Sequence, residues 1–142
     1  LDPVNSELLK TIVREQIDQG KIVFFSSHQM ATVEEFCDDI AILNKGQIVL
    51  TGDLREIKAN YPKERVRIFS DNLDALENEL KEIDNISDFE IKNDSIIVRL
   101  SNNSNIFEEA KIINNSLTNA QGYKIVEPTL DEIFIEYGKE LK

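Results

Sequence analysis

The residues best suited to chemistry lie in the stretch from Ile22 to His28, which reads Ile-Val-Phe-Phe-Ser-Ser-His. A short run of β-branched and aromatic residues predicts a buried strand, and this run stops at two hydroxyl groups and an imidazole. Ligands of open α/β sheets bind beyond the carboxyl ends of the strands, so His28, the single histidine of the chain, is a candidate functional residue. Taken alone, the stretch also fits a loop histidine whose ring bonds a backbone carbonyl group.

Other groupings of reactive side chains are weaker. Either serine of this stretch could be drawn as a nucleophile with the histidine as its base, but adjacent strand residues point to opposite faces. No G-x-S-x-G turn is present either. The acidic pairs Asp38-Asp39 and Glu108-Glu109 have no histidine, cysteine or glycine-rich loop at a spacing that would complete a metal site. The sequence therefore predicts no serine hydrolase and no metal site.

Composition narrows the class of protein and its partners. The chain has 142 residues, 41% of them hydrophobic, which is enough for one ordinary globular domain or two small ones. Its 16 Lys and Arg against 27 Asp and Glu give a net charge of −11, which argues against nucleic acid or an anionic lipid surface as the main partner. No apolar run is long enough to span a bilayer, so no direct membrane insertion is expected. A single cysteine, Cys37, excludes an internal disulfide and is consistent with the cytoplasm.

The first sixty or so residues predict alternating helices and strands. Asp2-Pro3 has the chemistry of a helix start, and the apolar face of the helix that follows, to about Gln19, is expected to lie on a sheet. Gly20 provides the helix stop. The further predicted elements are a strand at 21–25, a short helix at 30–36, strands at 40–43 and 47–51, and a helix at 54–61. Lys45-Gly46 supplies the turn between the last two strands.

Composition shifts after Tyr61-Pro62-Lys63, and a domain boundary is predicted there, which divides the chain into 1–61 and 62–142. The second part contains strand-like segments at 65–69, 89–92, 95–100 and 123–126 and helical segments at 73–83 and 106–117. Their order, βαββαβ, predicts an α+β ferredoxin-like domain. Its core is expected along two faces, formed by Leu73, Leu76, Leu80 and Ile83 on the first helix and by Ile96, Val98 and Leu100 on a strand.

A C-terminal helix completes the second domain in this prediction. Thr129 and Glu132 have the spacing of a capping box that opens the helix. Its apolar stripe consists of Leu130, Ile133, Phe134, Tyr137 and Leu141, and Ile135 falls outside that stripe.

The order of these pieces resembles the C-terminal part of the nucleotide-binding subunit of an ABC transporter. The resemblance rests on four pieces in the family's order over roughly the first sixty residues: Leu1-Asp2-Pro3, Ser26-Ser27-His28-Gln29-Met30, Val33-Glu34-Glu35-Phe36-Cys37-Asp38, and the stretch 42–52 with its Asn44-Lys45-Gly46 turn. It implies that the first domain is an α/β remnant of the ABC ATPase core. It also implies that Asp2 belongs to the D-loop at the nucleotide interface and that His28 is the switch histidine that reaches the γ-phosphate of ATP.

Several motifs of that family are missing from the chain. None of its five glycines opens a G-x-x-x-x-G-K-[ST] phosphate loop, and it has neither a signature loop nor an apolar strand that ends in Asp-Glu. We therefore interpret the chain as a C-terminal fragment of a longer ATPase subunit. ATP and Mg²⁺ are expected as cofactors of that parent, and the fragment alone is expected to bind neither and to be inactive.

Residues 128–134 resemble a second family feature, the Leu-Asp-Glu-Val-Phe motif of drug and ion exporters. The resemblance implies a role in assembly with an integral membrane permease subunit for Leu130, Asp131, Glu132, Ile133 and Phe134. An alternative is that this stretch is only a capped amphipathic helix that packs on the sheet of its own domain.

These inferences predict the ATP-binding subunit of an ABC-type exporter, cytoplasmic and held at the inner face of the membrane by its permease. The alternative is a stand-alone regulatory or dimerisation module without catalytic activity. A homodimer is expected in either case, because the predicted strand at 21–25 would leave an apolar face and edge open.

Overall fold

The computed structural model describes residues 2–101 and 105–140, without the side chains of 138–140. Leu1 of the Leu-Asp-Pro stretch and Leu141 of the predicted stripe lie outside these described residues. The chain forms two units: unit 1 consists of Leu1–Asn60 with Thr129–Lys142, and unit 2 of Tyr61–Pro128. The first boundary lies close to the predicted one. The last helix, however, belongs to unit 1 and not to the second domain in which the sequence division placed it.

The described residues form helices and antiparallel sheets, which agrees with the expected α/β class. In chain order the elements are α1 (Pro3–Asp18), α2 (Met30–Phe36), β1 (Asp39–Asn44), β2 (Gln47–Asp53), α3 (Leu54–Ala59), β3 (Arg65–Phe69), α4 (Leu73–Lys81), β4 (Ile86–Ile91), β5 (Ser95–Leu100), α5 (Ile106–Ser116), β6 (Gly122–Val126) and α6 (Leu130–Glu140).

Helix α1 begins and ends as its sequence predicts. The Asp2 carboxylate accepts a hydrogen bond from the Asn5 backbone N–H at 2.9 Å, which satisfies one of the free donors of the first turn. At the other end Gly20 has φ +79°, and the N–H groups of Gly20 and Lys21 donate back to the carbonyl groups of Ile17 and Gln16. This pair of hydrogen bonds is the Schellman motif, which the left-handed glycine permits.

The expectation that α1 packs on a sheet was wrong. None of its residues is buried, and Leu8 and Ile12 are exposed. The amphipathic pattern correctly predicted the helix. The expected packing surface is missing, because the sheet described in unit 1 is only the β1–β2 hairpin.

The predicted strand at 21–25 is also absent. This segment has no strand assignment, and Ile22 and Phe24 are exposed, with 86% and 95% of their surface open. A strand exists only where a neighbouring strand exchanges backbone hydrogen bonds with it. In the described residues of unit 1, β1 and β2 pair only with each other, so the β-forming sequence at 21–25 has no partner.

The hairpin of β1 and β2 matches the predicted turn. Lys45 and Gly46 both have positive φ, 51° and 76°, as a two-residue turn of the primed type requires. Ile40 and Ile42 alternate as buried residues along β1. The hairpin leads directly into α3, where the Asp53 carboxylate accepts a hydrogen bond from the Glu56 N–H at 3.1 Å.

Unit 2 has the predicted order of elements, β3-α4-β4-β5-α5-β6. Its four strands lie in the order β4-β5-β3-β6, and each neighbouring pair is antiparallel. The predicted core faces are confirmed: Leu76 and Leu80 of α4 are fully buried, as are Ile96 and Val98 of β5. Val66, Ile68, Leu100, Ile106, Ala110 and Ile113 complete this core.

One carboxylate holds the connection between α5 and β6. Glu79 of α4 accepts hydrogen bonds from the backbone N–H groups of Thr118 and Asn119 at 2.8 and 3.0 Å, and also from both side chains. These hydrogen bonds, with the Thr118 hydroxyl contributing most, lower the pKa of Glu79 to about 2. The ionised carboxylate therefore fastens this loop to α4 within unit 2.

Candidate functional site

His28 lies in a short segment that is tied at both ends. The rings of Phe25 and Phe36 stack with their centroids 5.2 Å apart, which closes the chain around the histidine. Immediately beside it, the Ser27 hydroxyl accepts a hydrogen bond from the Gln29 backbone N–H at 3.0 Å. This turn leads into α2, which begins at Met30. The sequence thus positions the histidine between an extended segment and a helix.

The His28 side chain itself is exposed. Within the part of the chain that the structure describes, no hydrogen bond or ion pair engages its imidazole. The alternative interpretation, a ring that bonds a backbone carbonyl group, is therefore not what the described residues form. The two ring nitrogens are free to donate to or accept from a group outside this chain.

Helix α2 is connected to three other elements of unit 1. Lys58 of α3 forms an ion pair with Glu34 at 2.7 Å, and Lys10 of α1 forms one with Glu35. The hydrogen bond to Glu35, followed by that to Glu7, raises the pKa of Lys10. Helix α6 packs against α2 as well, and among the described residues it contacts α2 more than any other helix or strand.

Cys37 ends the same helix and behaves as a packed side chain. Its backbone N–H donates to the Val33 carbonyl at 2.9 Å, and it is half-buried. Burial, with a smaller contribution from Asp38, raises the pKa of the thiol. A raised pKa lowers the fraction of thiolate, so Cys37 lacks the character of a nucleophile.

Asp2 caps the start of α1. Its carboxylate is exposed and is engaged at the start of α1 by the Asn5 backbone and side-chain N–H groups, at 2.9 and 2.8 Å. No hydrogen bond or ion pair between described residues joins Asp2 to His28.

The five residues of the predicted assembly motif divide into two groups on α6. Leu130 and Ile133 are fully buried, and Phe134 is half-buried. Asp131 and Glu132 are exposed. The predicted start of this helix is present, since the Glu132 N–H donates to the Thr129 hydroxyl at 3.2 Å. Helix α6, which carries these residues, belongs to unit 1 and packs against α2.

A second polar cluster, which the sequence did not reveal, lies in unit 2 where β3 and β5 meet. Arg67 donates from Nε to the Ser95 hydroxyl at 2.7 Å and from Nη2 to the Asp94 carboxylate at 2.9 Å. The Ser95 hydroxyl and then Arg67 hold the pKa of Asp94 below its usual value. All its members satisfy one another, so the cluster joins neighbouring strands and provides no free reactive group.

Two kinds of feature are absent from the described residues. Among them, no group of three or more histidine, cysteine, aspartate or glutamate side chains is arranged to hold a metal ion. No described helix is both long and apolar enough to cross a membrane.

Comparison with known proteins identifies the class. Residues 52–137 match the family model described as "ATP-binding protein DrrA1-3-like, C-terminal domain". Because this match covers more than half of the chain, the chain belongs to the family of DrrA1-3-like ATP-binding proteins.

Individual relatives agree with that assignment. The chain is 37% identical over 136 residues to the uncharacterized ABC transporter ATP-binding protein YhaQ of Bacillus subtilis, covering 96% of the chain and 44% of the relative. It is 34% identical over 139 residues to another uncharacterized ABC transporter ATP-binding protein, from Alkalihalophilus pseudofirmus, covering 96% of the chain and 49% of the relative. The resemblance to ABC transporter ATP-binding subunits is thereby confirmed.

A shorter similarity concerns a relative with a named substrate class. The chain is 37% identical over 68 residues to the fluoroquinolones export ATP-binding protein of Mycobacterium tuberculosis, covering 48% of the chain and 23% of that relative. Overall the chain spans about half the length of the curated relatives that it matches along nearly all of its length.

Proposed function

We propose that this chain is the C-terminal part of the ATP-binding subunit of an ABC-type exporter, in which His28 is the switch histidine. The observation that carries the proposal is the exposed imidazole of His28, held between the Phe25–Phe36 stack and the start of α2. Membership of a family of ATP-binding proteins supports ATP hydrolysis as the reaction. The named exporter of Mycobacterium tuberculosis supports the direction of transport.

In this proposal His28 donates a ring N–H to the γ-phosphate of ATP, where negative charge must be stabilised during hydrolysis. The phosphate loop and the ligands of Mg²⁺ are supplied by the remainder of the subunit, since the chain contains no G-x-x-x-x-G-K-[ST] sequence. Asp2, exposed at the start of α1, contributes to the interface between two protomers across the nucleotide.

The test is His28→Ala in the full-length subunit. Loss of one contact made mainly in the transition state should reduce kcat by about 10²-fold or more and leave ATP affinity nearly unchanged. Ser26→Ala is the matched control, because it alters an exposed side chain of the same segment. Unchanged turnover in the His28 variant would refute the role.

The isolated chain should bind ATP-Mg weakly or not at all by calorimetry, and a dissociation constant in the low micromolar range would contradict the fragment interpretation.

We further propose that unit 2 is a ferredoxin-like accessory domain that serves assembly or coupling to an integral membrane permease. The βαββαβ order of its elements and its antiparallel β4-β5-β3-β6 sheet support this classification. Such a subunit would be cytoplasmic and held at the membrane through the permease. Deleting residues 61–128 from the full-length subunit should abolish its co-purification with the permease, and retained complex formation would refute the role.

A homodimer is supported by the open apolar side chains of the 21–25 segment. Ile22 and Phe24 are 86% and 95% exposed, and burial of such side chains favours association. This feature also suits the alternative function, a stand-alone dimerisation module. Light scattering coupled to gel filtration should give a dimer that Phe24→Ser weakens. A monomer near 16.3 kDa would refute the homodimer of the isolated chain.

A further inference from the structure

The C-terminal helix and the segment that carries His28 meet at one helix, α2. Met30, the first residue of α2, lies two positions after the histidine, and Phe36, its last residue, stacks on Phe25 before it. Helix α6 packs against this same α2, although the whole of unit 2 lies between them in the chain. Its residues Leu130 and Ile133 are fully buried.

Helix α2 cannot maintain its own structure. It has seven residues, fewer than an isolated helix needs to be stable in water, and none of them is fully buried. Gln29, at its N-terminal cap position, makes no capping hydrogen bond through its side chain. Its order therefore depends on packing and on ion pairs with neighbouring elements. The ion pairs of Glu34 and Glu35 involve partly exposed side chains, which contribute little on their own. The packing of α6 against α2 is the stronger support, and Leu130 and Ile133 are fully buried side chains of α6.

We propose that Leu130 and Ile133 are positioning residues for His28: by packing on α2 they fix the start of the helix and hence the orientation of the histidine beside it. Displacement of α6 frees the N-terminal turn of α2, and the turn at Ser27 and Gln29 loses its anchor. The consequence for hydrolysis rests on the function proposed above for His28. The expected effect on the orientation of the His28 side chain depends only on contacts within unit 1.

The chain offers a direct structural test, because it has one histidine and one methionine, and they flank the start of α2. In NMR spectra of the isolated chain, the ring signals of His28 and the methyl signal of Met30 report this segment without interference. Ile133→Ala should shift or broaden both signals. Ile135→Ala is the matched control, since this isoleucine of the same helix is 57% exposed, and it should change neither.

Backbone amide signals of unit 2 show whether each variant chain remains folded. If Ile133→Ala unfolds unit 1, the milder Ile133→Val should give a smaller displacement of the same two signals, and Ile133→Leu should restore them. Unchanged His28 and Met30 signals in a variant whose α6 amide signals show undocking would overturn the proposal.

Hydrolysis by the full-length subunit provides the second measurement. Ile133→Ala should lower kcat about tenfold with KM for ATP unchanged, as expected for a small misplacement of a catalytic group, while Ile135→Ala keeps normal turnover. In a His28→Ala background, Ile133→Ala should cause no further loss, because both changes act through the same side chain. If Ile133→Ala lowers kcat by the same factor with and without His28, the positioning role of Ile133 is refuted. If His28→Ala alone has no effect, the proposed function fails, whereas the NMR result still decides the positioning claim.

Discussion

Truncating Leu130 to alanine separates the two roles considered for its motif, packing within unit 1 and contact with a partner. Leu130 is fully buried in this chain with no partner present. Leu130→Ala removes the equivalent of about three methylene groups, worth about 2.4 kcal/mol of transfer free energy. A residual cavity raises the expected loss of stability of unit 1 to about 3–4 kcal/mol.

Native-state hydrogen exchange of the isolated chain measures this loss amide by amide. In Leu130→Ala, protection of the backbone amides from exchange should fall in α2 and α6 and be retained in β3 and β5. Leu76→Ala, which truncates a fully buried leucine of unit 2, should give the opposite pattern. Ile135→Ala, at an exposed position of α6, should change the free energy of opening by less than about 0.5 kcal/mol. Normal protection in Leu130→Ala, together with loss of permease binding, would refute the packing role and assign the residue to a partner interface.

Two further predictions concern stability. Glu79→Gln should lower the urea midpoint of unit 2 at pH 7 more than the control Glu82→Gln. Because the folded pKa of Glu79 is about 2 against a usual 4.5, its contribution is present above pH 4.5 and is lost as pH falls through 2, so the Glu79→Gln and unaltered chains should converge there. An equal difference in urea midpoint between the two chains at pH 7 and at pH 2 would contradict this. Lys45→Asn should stabilise the hairpin by roughly 0.5–1 kcal/mol in thermal unfolding, because Lys45 has φ 51° and Asn-Gly suits the primed turn. A lower melting temperature would contradict it.

Local patterns predicted those elements whose structure is determined by their own residues. The bounds of β3, β5 and α2 agree with the prediction, and so do the stop at Gly20 and the turn at Lys45-Gly46. Each depends on alternation, capping or backbone chirality over a few neighbouring residues. The candidate site residue His28 was chosen for its place at the end of an apolar run; that run is not a strand, and the role of His28 stays a prediction.

The predictions that failed all required a partner distant in sequence. The stretch 21–25 has β-forming residues but no strand beside it, and the face of α1 has no sheet to cover it. The stripe on α6 predicted burial of Leu130 and Ile133. Periodicity carries no information about which element a helix packs against, so the packing of α6 on α2 was missed. The four hydrogen bonds to Glu79 likewise join residues that no local motif connects.

The return of the chain from unit 2 to unit 1 has a consequence for biosynthesis. On the ribosome α2 is complete at Phe36, but the helix that supports it begins only at Leu130, roughly ninety residues later. At the usual 5–20 residues per second, α2 and His28 wait about 5–18 s for α6, during which all of unit 2 is synthesised and can fold. The apolar side chains of α2 therefore lack the packing of α6 throughout that interval. A chaperone that binds short apolar stretches has its longest opportunity to act there.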